Sequence, residues 1–505
     1  MKKLKYILLV LFIIPIVALA EPIHLNQDAI NEIFSTPNVL NETYEVLYNN
    51  QVLPKGLDFR GGEYILDGDI DLHNSNIIST TGTITFNLNG HNITNEQLDD
   101  NNRLFYPTIG NDGTIEYDVT INGPGTIKYN TYISAPKSAI MLYGGTLRVN
   151  NATIEGIIKT QANSSLNFDY TKVYLNNTIV TDGLEIWGGE LYIDGCTINQ
   201  SDGNFSTIRS DNTSIINTTI TSPTAHGFYL KPNGDHGVAV IKNSSISAKE
   251  DAIWIQKYVD LTIENTFLSG FSGLYIQGDP KITLSDIHYK ADPNLVNPEY
   301  AKMIIVPKSS NDVAGVTSEN IKAFFERYLK EGYIYWNNLD FIDDTVYNNL
   351  KVGRDEGWII KQQEEYEAEE QTYEIPEDNE VIIKVSGYKF LFEKLIINNE
   401  EVPDTDYEIL DTDGDKDVSI KIKNDYLKTL EANKYDIEVV FANGSATTTL
   451  NVVDEEPVSN EVPEVKGEVE NPKTGLFNYM ILLLPLAIVG IVYIVISKKT
   501  YFKGM

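Results

Sequence analysis

At 505 residues, with 72 Asp and Glu against 39 Lys and Arg, the chain carries a formal net charge of −33. That balance excludes nucleic acid and anionic membrane surfaces as partners of its body, because neutralising phosphate takes clustered cations. A single cysteine, Cys196, excludes an intramolecular disulfide, so stability must come from a buried core, and the length is ample for that and for two or three domains.

Residues 1–20 open with Lys2, Lys3 and Lys5, continue with an apolar run from Tyr6 to Val17 and close on Ala18-Leu19-Ala20. Charge, apolar core and small-residue cleavage site in that order read as a signal peptide removed before Glu21. The run of about 12 apolar residues is too short to span a hydrocarbon core, which needs roughly 20. Residues 21–61 are expected to cap the unit that follows.

From 62 to 292 the chain is rich in Asn, Thr, Ile and Gly and shows short period-2 stretches without helical periodicity, the pattern of strands joined by turns. Self-alignment recovers apolar-x-apolar, three variable residues, then Thr or similar and Ile or similar. Copies run from Leu147 and Val149 to Thr153-Ile154, from Leu191 and Ile193 to Thr197-Ile198, from Ala239 and Ile241 to Ser245-Ile246, and from Leu261 and Ile263 to Phe267-Leu268. Shorter copies end at Ile179 and Ile220. A second strand precedes most of them: Ala139 to Leu142, Gly183 to Ile186, Gly227 to Leu230, Ala252 to Ile255 and Gly273 to Ile276. Copies lie about 19 to 27 residues apart, a period that suits one coil of a parallel β-solenoid whose alternate aliphatic residues stack into a shared column. The stretches Tyr64 to Leu72, Thr83 to Ile93 and Val119 to Ile127, together with these repeats, resemble the opening coils of right-handed β-helix surface proteins of the pectate-lyase-like superfold. The resemblance implies three sheets per coil and does not imply an activity.

Glycoside hydrolysis needs two carboxyl groups facing one sugar. Candidates are Asp202, Asp211, Asp235, Glu250 and Asp251, with His226 and His236 nearby. They do not form the hydrolase set of the superfold: Asn-Thr-Asp, paired aspartates one coil later and Arg-Ile-Lys are all missing, as is the lyase pattern of calcium-binding aspartates with a catalytic Arg. Asp235-His236-Gly237 matches the Gly-His-Gly of such enzymes only in part and sits in a turn-like stretch. No catalytic residue, metal site or cofactor is therefore assigned.

Strand alternation carries a different signal. With Leu142, Ile186, Ile208, Leu230, Ile255 and Ile276 as one buried column, their neighbours face outward, including Tyr143, Glu185 and Thr207. That predicts a stripe of Trp187, Tyr229, Trp254 and Tyr275 flanked by Arg209, Lys231, Gln256 and Gln277. Aromatic faces beside amide and cationic donors match the apolar ring faces and hydroxyls of a sugar chain. The stripe is expected either to bind an extended glycan or to pack under a loop or a neighbouring domain.

Residues 293–371 change period. Ser318 is expected to cap a helix with Ile321, Phe324, Phe325, Tyr328 and Leu329 on one face, ending before Gly332, in a small α/β connector that covers the open end of the solenoid. The acidic run Gln362 to Gln371 is expected to link it to the next unit. Residues 372–453 alternate strand-like segments with turns over about 80 residues, which suggests an immunoglobulin-like β-sandwich. Its stretch Asn424 to Leu430, with Tyr435 to Phe441 and Asn443-Gly444, resembles the X2 module of bacterial surface proteins and cellulases, and that resemblance implies carbohydrate or cell-wall binding or a spacer. The run Asp411 to Asp415 with Asp417 lacks the Gly and Glu positions of an EF-hand and reads as a solvated turn.

Residues 454–470, rich in Glu, Val and Pro, read as an extended stalk. In 471–505, the apolar stretch from Leu476 to Ile496 is long enough to span a bilayer and is followed by Lys498, Lys499 and Lys503, which hold the tail on the cytoplasmic side. Ahead of it stands Asn471-Pro472-Lys473-Thr474-Gly475. Pentapeptide, span and basic tail together resemble a sortase sorting signal of Gram-positive surface proteins, which implies cleavage between Thr474 and Gly475 and transfer to the cell wall. Asn471 departs from the usual Leu, so membrane retention remains the alternative to covalent attachment.

The expectation is thus a mainly β protein: a right-handed parallel β-helix, an α/β connector, an immunoglobulin-like sandwich and a C-terminal transmembrane helix. It is expected at the extracellular cell surface as a non-catalytic adhesin or glycan-binding protein. Its partners would be an extracellular glycan or a host or neighbour polysaccharide, sortase during anchoring, peptidoglycan and, through the span, the cytoplasmic membrane. A polysaccharide lyase or glycoside hydrolase and a structural cell-wall-layer protein are the alternatives.

Overall fold

A computed structural model describes residues 21–35, 45–48, 51–54, 58–72, 78–95, 108–110, 117–129, 138–161, 171–200, 206–307, 316–317, 319–337, 341–342, 349–375, 380–410 and 417–454. The segments expected from sequence as signal peptide, acidic turn (411–416), stalk, sorting pentapeptide and membrane span fall outside these residues. Among the described residues no helix is long and apolar enough to cross a membrane.

Each complete coil supplies three short strands that pair in parallel with their counterparts on the next coil, giving three sheets. In the first sheet Leu184–Trp187 pairs with Ser206–Arg209, and Phe228–Leu230, Asp251–Ile255, Ser272–Ile276 and Lys302–Pro307 follow in order. In the second, Glu190–Asp194 leads to Asn212–Ile216, Gly237–Lys242 and the first part of Val259–Gly270. In the third, Thr197–Asn199 leads to Thr219–Ser222, Ser245–Ala248 and the later part of Val259–Gly270. The parallel solenoid expected from the repeats is the fold observed. Its parallel coils continue past 292, because Lys302–Pro307 still pairs in parallel with Ser272–Ile276.

Alternation along each strand sends one residue set inward. In one coil Leu184, Ile186, Leu191, Ile193 and Ile198 are all buried while Tyr192, between two of them, is 39% exposed. Each such aliphatic contributes roughly 1.5–3 kcal/mol on burial, so repetition along the axis is what stabilises a chain without disulfides. Two details depart from the sequence reading. The shorter copy ends on buried Val180 and not on Ile179, because Ile154 pairs with Val180 and leaves Ile179 in the outward Thr position, 43% exposed. A coil strand without the apolar repeat pattern, Ile157–Gln161, pairs with Ser138–Tyr143 and with Leu184–Trp187. It was hidden because its buried residue opposite Leu142 is Thr160, whose hydroxyl accepts the Trp187 N–H at 3.1 Å.

The corner between the second and third sheets is built by side chains. Asn151, Asn177, Asn217, Asn243 and Asn265 occupy the left-handed backbone region with φ from 46° to 54°, which asparagine tolerates better than most residues. Their amides form a ladder: Asn177 donates to Asn151 at 3.3 Å, Asn243 to Asn217 at 3.3 Å and Asn265 to Asn243 at 2.9 Å. Gly195 takes the same corner in the intervening coil at φ 64°, where a Cβ would collide with Asn177 Oδ1. The next position is a second ladder. Thr178, Cys196, Thr218 and Ser244 each donate to the carbonyl two residues back. The N–H groups of Thr178, Cys196 and Thr218 each donate to the side chain one coil on, at 3.2 to 3.4 Å. Cys196 is one rung of this ladder.

Both ends of the solenoid are covered. The helix Gln27–Ser35 buries Ala29, Ile30 and Ile33 against the first coil. At the other end Asn349–Val352 and Glu356–Lys361 run antiparallel to the last parallel strands, Lys302–Pro307 and Lys281–Ala291, and so end the parallel stacking. A helix, Ile321–Glu326, inserts Ile321, Phe324 and Phe325 into the same core. It starts after Asn320, whose side chain accepts the Thr317 N–H at 2.7 Å; Ser318, the expected cap, lies outside the described residues.

The C-terminal unit consists of two sheets. One runs Glu364–Glu367, Gly444–Asp454, Asn433–Phe441, Phe392–Ile397, Glu400–Glu401, with Gln371–Ile375 added; the other is Val381–Val385, Val418–Ile422, Tyr407–Ile409. They share a core of residues such as Tyr373, Ile383, Leu395, Ile420, Val439 and Leu450. The acidic run read as a linker is a strand of this unit: Glu364–Glu367 pairs in parallel with residues 444–447, with Tyr366 buried between exposed Glu365 and Glu367. One apolar residue in an acidic run carries too little period-2 signal to show a strand from sequence.

Candidate functional site

The first sheet positions the predicted stripe. Leu142, Ile186, Ile208, Leu230, Ile255 and Ile276 are buried, as the alternation requires, which turns the residues between them outward. Register divides those outward residues into two columns. Glu185, Thr207, Tyr229, Trp254 and Tyr275 follow one another on successive coils. Trp187 and Arg209 stand opposite each other in the adjacent column. The same column continues to Lys231, Gln256 and Gln277, whose N–H groups extend the ladder by donating to Ile208, Leu230 and Ile255. Trp187 therefore lies beside the row of the other three aromatics and not in line with them, because Glu185 takes the Tyr229 position in its coil.

Within the first column the rings pack on one another. Tyr229 and Trp254 have centroids 5.0 Å apart at 72°, and Trp254 and Tyr275 5.7 Å apart at 81°. Near-perpendicular packing makes a ridge of alternating ring faces and edges. Burial raises the phenol pKa of both Tyr229 and Tyr275, so both hydroxyls stay protonated donors.

The second column supplies polar groups. The Arg209 guanidinium lies 3.6 Å from the centroid of Trp187, and the Trp187 indole N–H donates to Glu185 at 3.1 Å. Lys231 Nζ sits 5.8 Å from the centre of Tyr229. Gln277 Oε1 accepts from both Trp254 Nε1 at 3.1 Å and Gln256 Nε2 at 3.2 Å. Among the described residues no carboxylate pairs with Arg209 or Lys231, although acidic groups outnumber basic ones in the chain.

At the edge of this ridge three of the sequence candidates, His226, Glu250 and Asp251, come together. The His226 ring meets Trp254 at 4.7 Å and 61°. Its Nε2 is 2.9 Å from Glu250 and its Nδ1 is 3.1 Å from Asp251. Asp251 is 7% exposed and accepts the Ser272 hydroxyl at 2.6 Å. An imidazole held between two carboxylates has the components of proton transfer. Adjacent Glu250 and Asp251 were visible in sequence; that His226, one coil earlier, lies against both was not. The other candidates are dispersed: His236 pairs with Asp260 at 3.4 Å on an exposed turn, and Asp211 accepts the Gly234 N–H. Asp202 lies outside the described residues. Among the described residues no cluster of three or more His, Cys, Asp or Glu could hold a metal.

A family model described as "Right handed beta helix region" matches residues 206–353, which with the parallel sheets identifies this part of the chain as a right-handed β-helix. No curated protein matches the chain. Among solved structures, "Titin kinase and its flanking domains" is similar at 13% identity and TM-score 0.14, over 20% of this chain and 19% of that one. The I9–I11 tandem from titin is similar at 12% identity and TM-score 0.15, over 24% of this chain and 55% of that one. The chain spans about a fifth and about half of those two structures, and similarity at this level carries no inference about it.

Proposed function

We propose that this chain is a surface-displayed, wall-anchored glycan-binding protein whose β-helix presents the Tyr229–Trp254–Tyr275 ridge to an extended saccharide. The observation that supports the reading is the pairing of two columns: aromatic rings on one, Arg209, Lys231, Gln256 and Gln277 on the other. A glycan lying along the axis meets ring faces for its apolar patches and cationic or amide donors for its hydroxyls at each sheet spacing of about 4.8 Å. Surface display rests on the sequence pattern at the two ends: signal peptide, stalk, Asn471 to Gly475, apolar span and basic tail. In this reading the C-terminal unit is an X2-type spacer holding the helix away from the wall. Binding of the whole chain to a glycan array, lost in the Tyr229→Ala, Trp254→Ala double variant, tests it; unchanged binding in that variant overturns it.

One observation favours a second reading, polysaccharide cleavage: His226 between Glu250 and Asp251 beside Trp254. Release of reducing ends from a panel of uronic-acid polymers, abolished by His226→Gln, is its signature. A purely structural wall-layer role is the reading that remains if neither binding nor release is found.

A further inference from the structure

Where the asparagine corner passes the C-terminal unit, the surface opens into a groove of about 390 Å³, with coil residues on one side and Tyr388 of the C-terminal unit lining it as well. One column of the third sheet forms its floor. Thr219 and Ser245 stand in register, Phe267 follows on the next coil and His288 on the one after. Small hydroxyl side chains thus end against an aromatic step, and Ser245 is too small to cover the Phe267 ring opposite it. The step is braced from behind. Phe267 and His288 centroids are 5.1 Å apart, His288 stacks on Trp358 at 4.8 Å and 7°, and Trp358 contacts Phe390 of the C-terminal unit at 4.1 Å.

The rim is the amide ladder. Asn243 donates one hydrogen to Asn217, and Asn265 donates one to Asn243. A primary amide carries two hydrogens and an oxygen with two acceptor positions, so each rung keeps hydrogen-bonding capacity for a ligand. The rungs recur at the sheet spacing of about 4.8 Å. Among the described residues no lysine or arginine lines the groove, its carboxylate is Asp286, and His288 faces Glu356 at 3.1 Å. A negatively charged ligand would meet like charge without a compensating cation.

We propose that this groove is a second carbohydrate site, taking the end or a short branch of a neutral saccharide. One ring face lies on Phe267, and its hydroxyls bond Thr219, Ser245 and the amides of Asn243 and Asn265. The site is on a different sheet from the aromatic ridge and stands independently of it. Because Tyr388 lines it, the C-terminal unit contributes to recognition as well as to spacing.

The test is calorimetric titration of the whole chain with cellotetraose, maltotetraose and chitotetraose. At least one is expected to bind at millimolar concentration or below. Ser245→Phe, which fills the floor, should weaken that binding by about tenfold or more, the loss of a ring contact and a hydrogen bond, while Tyr192→Ala, exposed on the second sheet and outside both sites, leaves it unchanged. Asn243→Gly keeps the corner conformation, removes one amide and should also weaken binding, so the test survives if Ser245→Phe does not fold. Absence of binding by all three sugars, or binding that persists in both groove variants, overturns the proposal; the second outcome assigns the sugar to another surface such as the ridge.

Discussion

The guanidinium of Arg209 lies 3.6 Å from the centre of the Trp187 ring, one coil away in the same outward column. The contact covers one face of Trp187 and holds, beside the Tyr229–Trp254–Tyr275 ridge, a cation that pairs with no carboxylate among the described residues. Replacing Arg209 with Ala should cost about 0.5–1 kcal/mol of stability in chemical denaturation, the worth of a surface cation–π contact. Arg209→Lys should recover little of it, since an ammonium cannot lie flat on the indole. Full recovery by Lys would show that charge alone mattered.

The corner asparagines predict an inverted order of substitution effects. At Asn243, φ 49°, Gly should be better tolerated than Ala, because Ala in the left-handed region costs roughly 1–2 kcal/mol. At Gly195, Ala adds a Cβ against Asn177 Oδ1 and should destabilise by a similar or larger amount. Equal denaturation midpoints for Asn243→Ala and Asn243→Gly would contradict this account of the corner.

Cys196 serves as a rung between Thr178 and Thr218, and burial pushes its thiol up to about 11. The thiolate is the reactive form, so native protein should resist thiol reagents at neutral pH and react on unfolding. Cys196→Ser retains a donor and acceptor and should cost less than Cys196→Val, which strands the Thr178 N–H at about 1–3 kcal/mol. Rapid labelling of the native protein would refute the placement.

His288 has its pKa lowered, first by burial, with the Glu356 carboxylate opposing the shift. A folded-state value below the unfolded 6.5 means that the unfolded chain binds more protons in that window. Stability is therefore present above about pH 6.5 and falls as pH drops through the folded value. His288→Phe retains a ring against Trp358 and should flatten that part of the stability–pH profile. The same slope in this variant would assign the dependence to other groups.

The end caps carry a larger expected effect. Phe325 is fully buried where the helix Ile321–Glu326 closes the last coil, and Phe325→Ala should cost about 3–5 kcal/mol. Loosening this cap uncovers the end of a parallel core, so the variant should self-associate in light scattering. A monomeric variant with an unchanged midpoint would show that the cap is dispensable.

What was legible from sequence follows from what is local. Leu191, Ile193 and Ile198 announce their burial by period-2 alternation, and their recurrence announces the coil. The offset of Trp187 is local as well: it follows the buried Ile186, whereas Tyr229, Trp254 and Tyr275 each precede the buried Leu230, Ile255 and Ile276. His226 meets Glu250 and Asp251 only once the coils stack. Glu364–Glu367 becomes a strand only because Gly444–Asp454 returns beside it, so an acidic run with one tyrosine read as a linker. The asparagine corner was readable in principle, since Asn recurs after the second strand in coil after coil, but its signal is a backbone angle and not a side-chain pattern.

The central claim is that the ridge holds an extended glycan. The most direct measurement is the dissociation constant of the whole chain for its best glycan-array ligand, compared with that of Trp254→Ala. Removing the ring that contacts Tyr229, Tyr275 and Gln277 should weaken binding by about tenfold or more, since the apolar area a large ring buries against a ligand is worth roughly 1.5–3 kcal/mol, with the unfolding midpoint little changed. An unchanged dissociation constant, with the variant folded, would contradict it.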